Sequence, residues 1–437
     1  MARIIYDGLN LALTRGTGVA TYTRMLTRFA RDLGHEVGVV YGTAQTPPKN
    51  RFLREVAFFD RPEATRASWA RQCVNYITDA VRYSRPVAPA RVSLEGVVDT
   101  REFANMLPEQ DHIFAVRHLF VASRRHFART GSFARLVFDT APDILHCTYP
   151  LPLRVGPARN IYTIHDLVPF RLPFATLDNK RQMFRLLKKL VATADHVVTV
   201  SENSKKDIIN LLGIDERRIT NTYQAVYFPQ NFLREPESSV AQVLEASFGL
   251  TFKDYLLFFG ALEPKKNVSR LINAYLTSGV DIPLVLVAGE GWLNETETEF
   301  IAELGKRRRG ADAVRVVGQS VQLLNYVALP LLVSLIRGAR AVVFPSLYEG
   351  FGLPVLEAMV LGTPVITSRT SSLPEVAGEA ALLVDPYSTE EISDAIRTIS
   401  HDGDLRGELS RRGRVQAAKF SVERYSEQIE RLYRSLL

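Results

Sequence analysis

Residues 345–365 read PSLYEGFGLPVLEAMVLGTPV, and they are the clearest indication of the fold class of the chain. It follows a short apolar segment, Ala341 to Phe344, opens into a Gly-rich turn and enters a helix that carries Glu357. In an open α/β sheet, ligands bind where strands end and helices begin, because helix N-termini present free N–H groups and a partial positive charge. The stretch therefore predicts an α/β domain with a ligand site at this strand end.

The turn itself indicates what kind of ligand would bind. Gly350 and Gly352 allow the backbone to approach a bulky anion such as a diphosphate. Glu349 and Glu357 place two carboxylates beside this loop, which a polyhydroxylated ligand needs and a bare phosphate does not. Two glutamates at this spacing are common by chance, and Glu357 taken alone would be read as a solvent-facing helix residue.

As a whole, the stretch resembles the retaining glycosyltransferases with a Glu-x7-Glu motif, family four of the GT-B superfamily. The resemblance implies two Rossmann-like α/β domains that face a central cleft. It also implies an enzyme that transfers a hexose from a nucleotide-diphospho-sugar. In style, the motifs look most like those of bacterial mannosyltransferases, which makes GDP-mannose the favoured donor.

The alternation of strands and helices extends along the chain. Short apolar segments alternate with helical patterns, which predicts parallel sheets covered on both faces. The predicted strands are 3–7, 37–41, 144–147, 161–164, 196–200, 255–259, 284–288, 314–317, 341–344, 365–367 and 382–384. We expect an N-terminal acceptor domain over residues 1–228, with an irregular insertion at about 47–140, and a donor domain over 240–421. A linker is predicted at 227–239, and in the GT-B fold a last helix, here 422–437, crosses back to the first domain.

Composition agrees with this organisation. A chain of 437 residues is too long for a single hydrophobic core, so two domains are expected. A content of 46% hydrophobic and 23% charged residues is typical of globular proteins. No apolar run reaches the length that spans a bilayer, and the first residues read as a strand rather than a signal peptide. We expect Cys73 and Cys147 to be reduced thiols, so the chain is predicted to be cytoplasmic, with any membrane association peripheral, at the inner face of the plasma membrane.

The charge is uneven along the sequence. Residues 1–240 carry 33 basic and 23 acidic side chains, whereas residues 241–437 carry 21 and 24. A basic first half suits anionic lipid, nucleic acid or a phosphorylated acceptor, and charge alone does not choose among them. The Arg- and aromatic-rich segment 117–138 fits an interfacial helix on anionic lipid and an ordinary surface helix equally well. No nucleic-acid module is visible, so nucleic acid is not an expected partner.

Charge that builds on a leaving diphosphate has to be stabilised, and without a metal this falls to cations and N–H groups. The segment from Gly260 to Asn267 resembles the family signature in which a Lys contacts the donor diphosphate, which assigns that role to Lys266. Many family members carry Arg directly after the first Gly, but this chain has Ala261. Either Lys265, a donor-binding candidate, or another cation substitutes for that Arg, or Lys266 carries more of the stabilisation alone.

The first domain supplies further candidates by resemblance. Gly16 and Gly18 match the Gly-rich loop that closes over the donor diphosphate, although a plain strand-to-helix turn is an even alternative. His165 matches the family's His-Asp turn, whose His reaches the donor sugar and its phosphate. Asp166 caps the following turn or contacts the acceptor, and Lys206 is an acceptor-binding candidate beside Ser201, a favourable helix N-cap.

The resemblance also assigns roles within the second domain. Glu349 binds hydroxyls of the transferred hexose and Glu357 binds the ribose, as acidic residues do in dinucleotide sites. The loop residues expected to meet the diphosphate and sugar are Gly350, Phe351, Gly352 and Leu353. Gln319 marks the strand end where the base lies. His165, Lys266 and Glu349 are thus the predicted catalytic set.

No metal and no cofactor are expected. The chain contains one Asp-x-Asp match, Asp402-Gly-Asp404, which precedes an Arg-rich helix and is better read as a helix cap. The expected partners are a nucleotide-diphospho-sugar and a glycan or lipid-linked acceptor in surface polysaccharide assembly. Two alternatives stay open: a synthase or phosphorylase with a soluble sugar acceptor, and a non-catalytic nucleotide-sugar-binding subunit.

Overall fold

The apolar segments form two large β-sheets in the computed structural model, which describes residues 1–13, 18–60, 78–104, 106–289, 314–317, 321–325 and 327–437. Each predicted strand is present, with ends that differ by at most two residues. We call the first sheet with its helices the N-lobe and the second sheet with its helices the C-lobe.

The N-lobe sheet has eight strands within the described residues, in the order β10-β9-β8-β6-β1-β2-β4-β3. Its pairs are parallel except for β3 with β4. The central strands are buried along nearly their whole length, as expected for a parallel sheet with both faces covered. The strands are β1 Arg3–Asp7, β2 Glu36–Thr43, β3 Ala90–Val92, β4 His112–Arg117, β6 Ile144–Cys147, β8 Arg159–Thr163, β9 His196–Thr199 and β10 Ile219–Asn221. A separate parallel pair joins β5 Ala134–Leu136 to β7 Leu153–Val155.

The C-lobe sheet has seven strands in the described part of the chain, in the order β13-β14-β12-β11-β15-β16-β17. All its pairs are parallel except β13 with β14, which is antiparallel at the sheet edge. The strands are β11 Leu256–Ala261, β12 Leu284–Gly289, β13 Val314–Val317, β14 Val321–Leu324, β15 Ala341–Phe344, β16 Val365–Ser368 and β17 Ala381–Val384. Because β11 and β15 are neighbours, the loops that follow them meet at the carboxyl edge of the sheet.

Helices cover the faces of both sheets, and polar residues fix where several of them begin. The side chains of Asn50, Ser201, Asp402 and Ser421 each accept a hydrogen bond from an N–H of the following helix. Asp402 therefore acts as the helix cap expected for the Asp-x-Asp match. The helices span Gly18–Asp32, Arg51–Phe59, Leu119–Thr130, Val168–Arg171, Lys180–Thr193, Glu202–Leu212, Gln230–Arg234, Glu237–Phe248, Val268–Ser278, Leu329–Gly338, Leu353–Val360, Leu373–Ala377, Thr389–His401, Gly403–Ala417 and Val422–Leu436.

The last helix, Val422–Leu436, packs against the N-lobe. The hydroxyl of Tyr433 lies 2.7 Å from the hydroxyl of Tyr6 and 2.8 Å from Nδ1 of His146, all three side chains being buried. Arg159 donates to the carbonyl of Leu436 at 3.2 Å. These contacts join the end of the chain to β1, β6 and β8, while the predicted domain boundaries themselves stay a prediction.

The irregular insertion predicted at 47–140 needs a correction. β4 pairs in parallel with β2 over six residues, from Gly38 with His112 to Thr43 with Arg117, and β3 extends the same sheet. β3 has only three residues with Arg91 at its centre, so no apolar segment marks it. β4 does contain the apolar segment Ile113 to Val116, but this segment lies in a stretch rich in Arg and aromatic residues that hides the strand pattern. Residues 61–77, which include Cys73, lie outside the described residues.

The structure is also more regular than expected in two other segments, 227–239 and 117–138. The predicted linker at 227–239 is largely helical: the helix Gln230–Arg234 is separated only by Glu235 and Pro236 from the start of the helix Glu237–Phe248. The segment 117–138 contains the helix Leu119–Thr130, whose Phe120 and Phe127 are buried in the N-lobe core. No described helix is both long and apolar enough to cross a bilayer.

Candidate active site

Lys266 and Glu349 form an ion pair where β11 and β15 end. The Lys266 Nζ lies 2.6 Å from the Glu349 Oε1, and the Ser346 hydroxyl donates to the same oxygen at 2.6 Å. Both side chains are largely buried, 13% and 9% exposed, and the ammonium also lies 4.9 Å from the centre of the Phe344 ring. The carboxylate and the ammonium are therefore held in one geometry before any ligand arrives.

A second lysine and a second glutamate enlarge this cluster. Lys265 Nζ lies 3.7 Å from Glu263 Oε2, and both side chains are mostly buried. Burial acts to lower the pKa of Lys265, but the carboxylates of Glu349, Asp166 and Glu263 outweigh it and raise the pKa. Burial alone would raise the pKa of Glu349, yet Lys266 and Lys265 lower it below the usual value. Lys265 and Glu349 are thus both charged at neutral pH.

The loop after Glu349 runs close against the N-lobe. A Cβ atom added to Gly350 would lie 2.8 Å from the carbonyl oxygen of His165 and 3.0 Å from the Asp166 side chain. A Cβ atom on Gly18, the first residue of its helix, would lie 3.3 Å from Leu353. The structure therefore brings predicted site residues from two lobes into one place, beside the starts of two helices.

Gly352 gives the loop its turn. It adopts φ +114° directly before the helix Leu353–Val360, a conformation that other residues rarely take, and a Cβ there would lie 2.7 Å from Leu373. Pro354 has no N–H, and the N–H groups of Val355 and Leu356 both donate to the carbonyl of Gly352, at 3.0 and 3.3 Å. The N–H of Leu353 and the positive end of the helix are therefore what this helix start can offer to an anion. The Phe351 side chain is instead buried against Phe420, which leaves only its backbone for a ligand.

We expect Gly350→Ala to lower kcat/KM by roughly 10-fold or more, because the added methyl collides with the His165 carbonyl and forces the lobes or the loop apart. Steady-state kinetics and the melting temperature would be measured together. Gly156→Ala is the matched control, since a Cβ there meets nothing within 4 Å. Equal activity of the two variants would mean that this close approach has no role.

His165 is held by the N-lobe in one tautomer. Its Nε2 donates to the carbonyl of Thr148 at 2.9 Å, which leaves Nδ1 as an acceptor, and its ring meets the edge of Tyr22. Burial lowers the pKa of His165, although the Thr148 carbonyl and Asp166 act in the opposite direction. Thr148 is fixed in turn by the buried Asp7, which accepts from its N–H and its hydroxyl. A neutral, oriented imidazole therefore lies at the end of β8, beside the Gly-rich loop.

Of the remaining predicted site residues, one lies beside the cluster, one lies apart from it, and two fall outside the described residues. Asp166 accepts from the N–H of Val168 at 3.0 Å, so it caps the following turn while its side chain packs beside Gly350. Lys206 is exposed on the helix Glu202–Leu212, and no contact within the described part of the chain joins it to the cluster. Gly16 and Gln319 lie outside the described residues.

Glu357 differs from Glu349 in the forces that act on its carboxyl group. It lies half-buried on the helix Leu353–Val360, and burial raises the pKa of its carboxyl group to about 7, with no cation among the described residues opposing the effect. A carboxylate without a cationic neighbour is suited to accept hydrogen bonds from neutral hydroxyl groups, such as those of a ribose. Two carboxylates eight residues apart thus occupy different electrostatic environments.

We expect Glu357→Gln to stabilise the unliganded protein at pH 8 but not at pH 5. A pKa raised from 4.5 to about 7 makes folding stability fall as the pH rises through that range, because the folded state resists losing the proton. Removing the ionisation should therefore add about 1–3 kcal/mol to the free energy of unfolding at pH 8. Urea unfolding at both pH values measures this.

The same variant should raise the donor KM on the order of 10-fold, since a charged acceptor of ribose hydroxyls is lost. Glu379→Gln, at an exposed position, serves as the control for both measurements. A stability change that is the same at pH 5 and pH 8 would contradict the assignment of a half-buried carboxyl group without a cationic partner.

Contacts between the lobes involve residues that the sequence did not single out. The Tyr348 hydroxyl donates to Asp207, a buried carboxylate that also pairs with Arg171, and Asn203 donates to the same hydroxyl at 3.0 Å. Tyr348 directly precedes Glu349, so this network fixes the loop from the N-lobe side. Only its position in the 345–365 stretch could have drawn attention to Tyr348.

Glu375 makes the other contact. Its carboxylate oxygens accept from the N–H groups of Glu202 and Asn203 at 2.7 and 3.3 Å. These are the first two residues of the helix Glu202–Leu212, whose positive end favours a carboxylate. A residue of the C-lobe thus caps a helix of the N-lobe, and no local sequence signal announces such a pair.

Metal-ligating side chains are dispersed in the described part of the chain. Among the described residues, no three His, Cys, Asp or Glu side chains come together in a group that could hold a metal ion. Cys147, the cysteine in the described part, is buried as a free thiol. Metal independence stays a proposal.

Two family models match the chain, one in each half. The model described as Glycosyl transferases group 1 matches residues 246–416, which hold the Lys266–Glu349 cluster. The model described as Glycosyltransferase Family 4 matches residues 97–226. The second match begins inside the segment 47–140, which agrees with the finding that part of that segment belongs to the N-lobe sheet.

Comparison with individual proteins also identifies glycosyltransferases as relatives of this chain. The chain is 33% identical over 283 residues to the O-antigen chain mannosyltransferase B of Escherichia coli, covering 64% of this chain and 71% of that protein. It is 25% identical over 325 residues to the serotype-specific mannosyltransferase WbdA of Escherichia coli, covering 70% of this chain but only 38% of that one. The structure of sucrose-phosphate synthase from Thermosynechococcus elongatus superposes with a TM-score of 0.67 at 17% identity, covering 100% and 99% of the two chains.

Two α/β lobes joined at a charged strand-end site are the architecture of a GT-B glycosyltransferase. The predicted fold class is thereby confirmed. The chain belongs to the group 1 glycosyl transferases of glycosyltransferase family 4 and is a hexosyltransferase.

Proposed function

We propose that this enzyme is a retaining, metal-independent glycosyltransferase of surface polysaccharide assembly. It moves a hexose from a nucleotide-diphospho-sugar, with GDP-mannose favoured, to a glycan or lipid-linked acceptor. The observation that carries this proposal is the buried Lys266–Glu349 pair at the carboxyl edge of the C-lobe sheet, with the Gly-rich loop pressed against His165.

The cluster supports the handling of the donor diphosphate. Lys265 and Lys266 supply two positive charges within one loop, and the helix Leu353–Val360 adds the N–H of Leu353 and the positive end of its dipole. Charge that builds on the departing phosphate can be stabilised by these groups as they stand. They take the role that a divalent cation plays in other sugar transferases, which supports metal independence.

The step itself balances without a further reagent. The bond between the anomeric carbon and the donor phosphate oxygen breaks, and the acceptor hydroxyl oxygen bonds to that carbon from the same face. The acceptor proton passes to the departing phosphate oxygen, so the products are a glycoside and a nucleoside diphosphate. Glu349 is suited to bind hexose hydroxyls during this step, since its lowered pKa keeps it an acceptor.

The choice of mannose and of the polysaccharide pathway rests on relatives. The two Escherichia coli proteins are both named mannosyltransferases, and one is named for the O-antigen chain. A glycosyltransferase in polysaccharide assembly is the coarse function that these names support. GDP-mannose and the acceptor are our finer proposals.

One set of assays tests the proposal. Purified enzyme is incubated with GDP-mannose, or with UDP- and ADP-sugars in its place, and with either a lipid-linked glycan or free sugars as acceptor, in the presence of excess EDTA. We expect transfer from GDP-mannose to the lipid-linked glycan, with an α-linkage by NMR matching the α-configured donor. An inverted anomeric centre or full loss of activity in EDTA would contradict the mechanism, and turnover only with free sugars would indicate a synthase.

The basic surface of the N-lobe supports a peripheral membrane location, at the cytoplasmic face where such an acceptor would be met. Arg124 and Arg125 are exposed on the helix Leu119–Thr130, whose aromatic residues face the core instead. Contact with anionic lipid would therefore be electrostatic, worth about 1 kcal/mol for each basic residue near the surface.

We expect Arg124→Gln/Arg125→Gln to lower retention on vesicles containing anionic lipid roughly 30-fold at low salt, and by less at high salt. Sedimentation with vesicles at low and high salt measures this. Arg411→Gln/Arg412→Gln removes the same charge from the C-lobe helix Gly403–Ala417 and is the control. Equal retention of wild type and the Arg124/Arg125 variant would exclude this helix as the lipid contact.

A further inference from the structure

A cavity of about 550 Å³ lies at the junction of three parts of the chain. Tyr223, which follows β10, forms one side, and Glu375 and Gln416 of the C-lobe form another. The last helix, Val422–Leu436, and the turn Ala418–Phe420 close it. None of the residues lining it belongs to the predicted donor or acceptor set.

The charges in this cavity do not cancel. Arg431 pairs with Glu427 at 3.6 Å, and Glu375 is engaged by the helix start at Glu202. Lys419 and Arg424 have no ion-pair partner within the described residues. Two cations that line one cavity and lack a carboxylate provide a site for an anionic group.

The uncharged groups indicate the rest of the ligand. The rings of Tyr223 and Phe420 meet edge to face, 5.2 Å apart, and form an aromatic wall. The side-chain oxygen of Gln428 is buried without a hydrogen-bond partner among the described residues, so it needs a donor such as a hydroxyl group. Aromatic rings pack against the apolar face of a sugar ring, while hydroxyl groups satisfy amide and carboxylate oxygens.

We propose that this cavity is a second carbohydrate site, which binds a sugar carrying one anionic group, a phosphate or a carboxylate. Lys419 and Arg424 bind the anion, Gln428 accepts from a ring hydroxyl, and Tyr223 with Phe420 packs against the ring. The site is separate from the donor site, and it does not depend on the donor or acceptor assigned above.

The cavity is also connected to the Gly-rich loop 349–352 by direct contacts. The Phe420 ring lies 5.6 Å from the ring of Phe351, which stands between Gly350 and Gly352. Tyr223 lies 6.4 Å from the same ring. A ligand bound against Phe420 and Tyr223 would therefore contact the two residues that pack against Phe351 of the Gly-rich loop.

Calorimetric titration tests the proposal with two probes, mannose 6-phosphate and glucuronate, neither of which carries the nucleoside that a donor site recognises. We expect saturable binding of at least one probe to the wild-type protein in the millimolar range or below. Lys419→Ala/Arg424→Ala should weaken it at least 10-fold, because two charge-assisted contacts are lost. Gln428→Leu should weaken it less, and the probe that binds identifies the anion.

Two controls show whether the probe binds in this cavity. Arg411→Ala/Arg412→Ala removes the same charge outside the cavity and should leave binding unchanged. Lys266→Ala should also leave it unchanged, even if Lys266 has no role in sugar transfer. Absence of saturable binding for both probes, equal binding by the Lys419/Arg424 variant, or loss of binding in Lys266→Ala would each overturn the proposal.

Discussion

Replacing Lys266 with Ala is expected to lower kcat by roughly 100-fold or more, the usual effect of removing one group that stabilises developing charge. The ammonium lies at the end of β11 in a largely buried setting, where its interaction with a phosphate is weakened little by solvent. Turnover at saturating donor, measured as release of nucleoside diphosphate, gives the size of the effect. Lys189→Ala, at an exposed helical position, provides the matched control.

The variant has a second expected signature in its pH dependence. Lys266 is the strongest of the groups that lower the pKa of Glu349, whereas burial raises it. Loss of the Lys266 charge should therefore raise the pKa of Glu349. The acid limb of the kcat profile should then move to higher pH in the variant. Near wild-type turnover with an unchanged profile would remove Lys266 from the catalytic set.

Most of the fold could be predicted because its strands are continuous apolar segments. β1, β6 and β15 are buried on both faces, and such segments stand out in any sequence. β3 and β14 were missed for the opposite reason, since they lie at or near sheet edges and only part of each strand is buried. Short strands of this kind are fixed by their neighbours rather than by their own composition.

The candidate site could be predicted in part because its residues follow one another along the chain. Glu349, Gly350 and Gly352 lie in one stretch, and Lys266 belongs to a second stretch of similar character. Glu375 and Asp207 could not be found this way, because their partners lie in the other lobe, 173 and 141 residues away in sequence. Such pairs depend on how two lobes dock, which local patterns do not encode.

Replacing Glu349 with Ala is expected to lower kcat on the order of 100-fold, with a change in donor KM of only a few-fold. The carboxylate is fixed by Lys266 and Ser346 before substrate binds, so its hydrogen bonds to the hexose can strengthen as charge develops at the anomeric carbon. Glu349→Gln, which keeps the shape without the charge, controls for a cavity or a folding defect. Kinetics with saturating acceptor separate the two constants.

The comparison with Glu357→Gln makes this assignment testable within one loop and helix. Burial raises the pKa of Glu357 unopposed, whereas two lysines lower the pKa of Glu349. If the first binds ribose and the second the hexose, their replacement should affect mainly KM and mainly kcat, respectively. Two variants with the same kinetic pattern would contradict this division.

The ion pair also predicts that the two largest effects are not independent. Lys266 and Glu349 are 2.6 Å apart, and residues in direct contact usually couple when both are replaced. The double variant Lys266→Ala/Glu349→Gln should therefore lose less than the product of the two single losses, because either change already disrupts the preformed geometry. Full multiplicativity would mean that the lysine and the glutamate act on separate parts of the donor, each without the other's support.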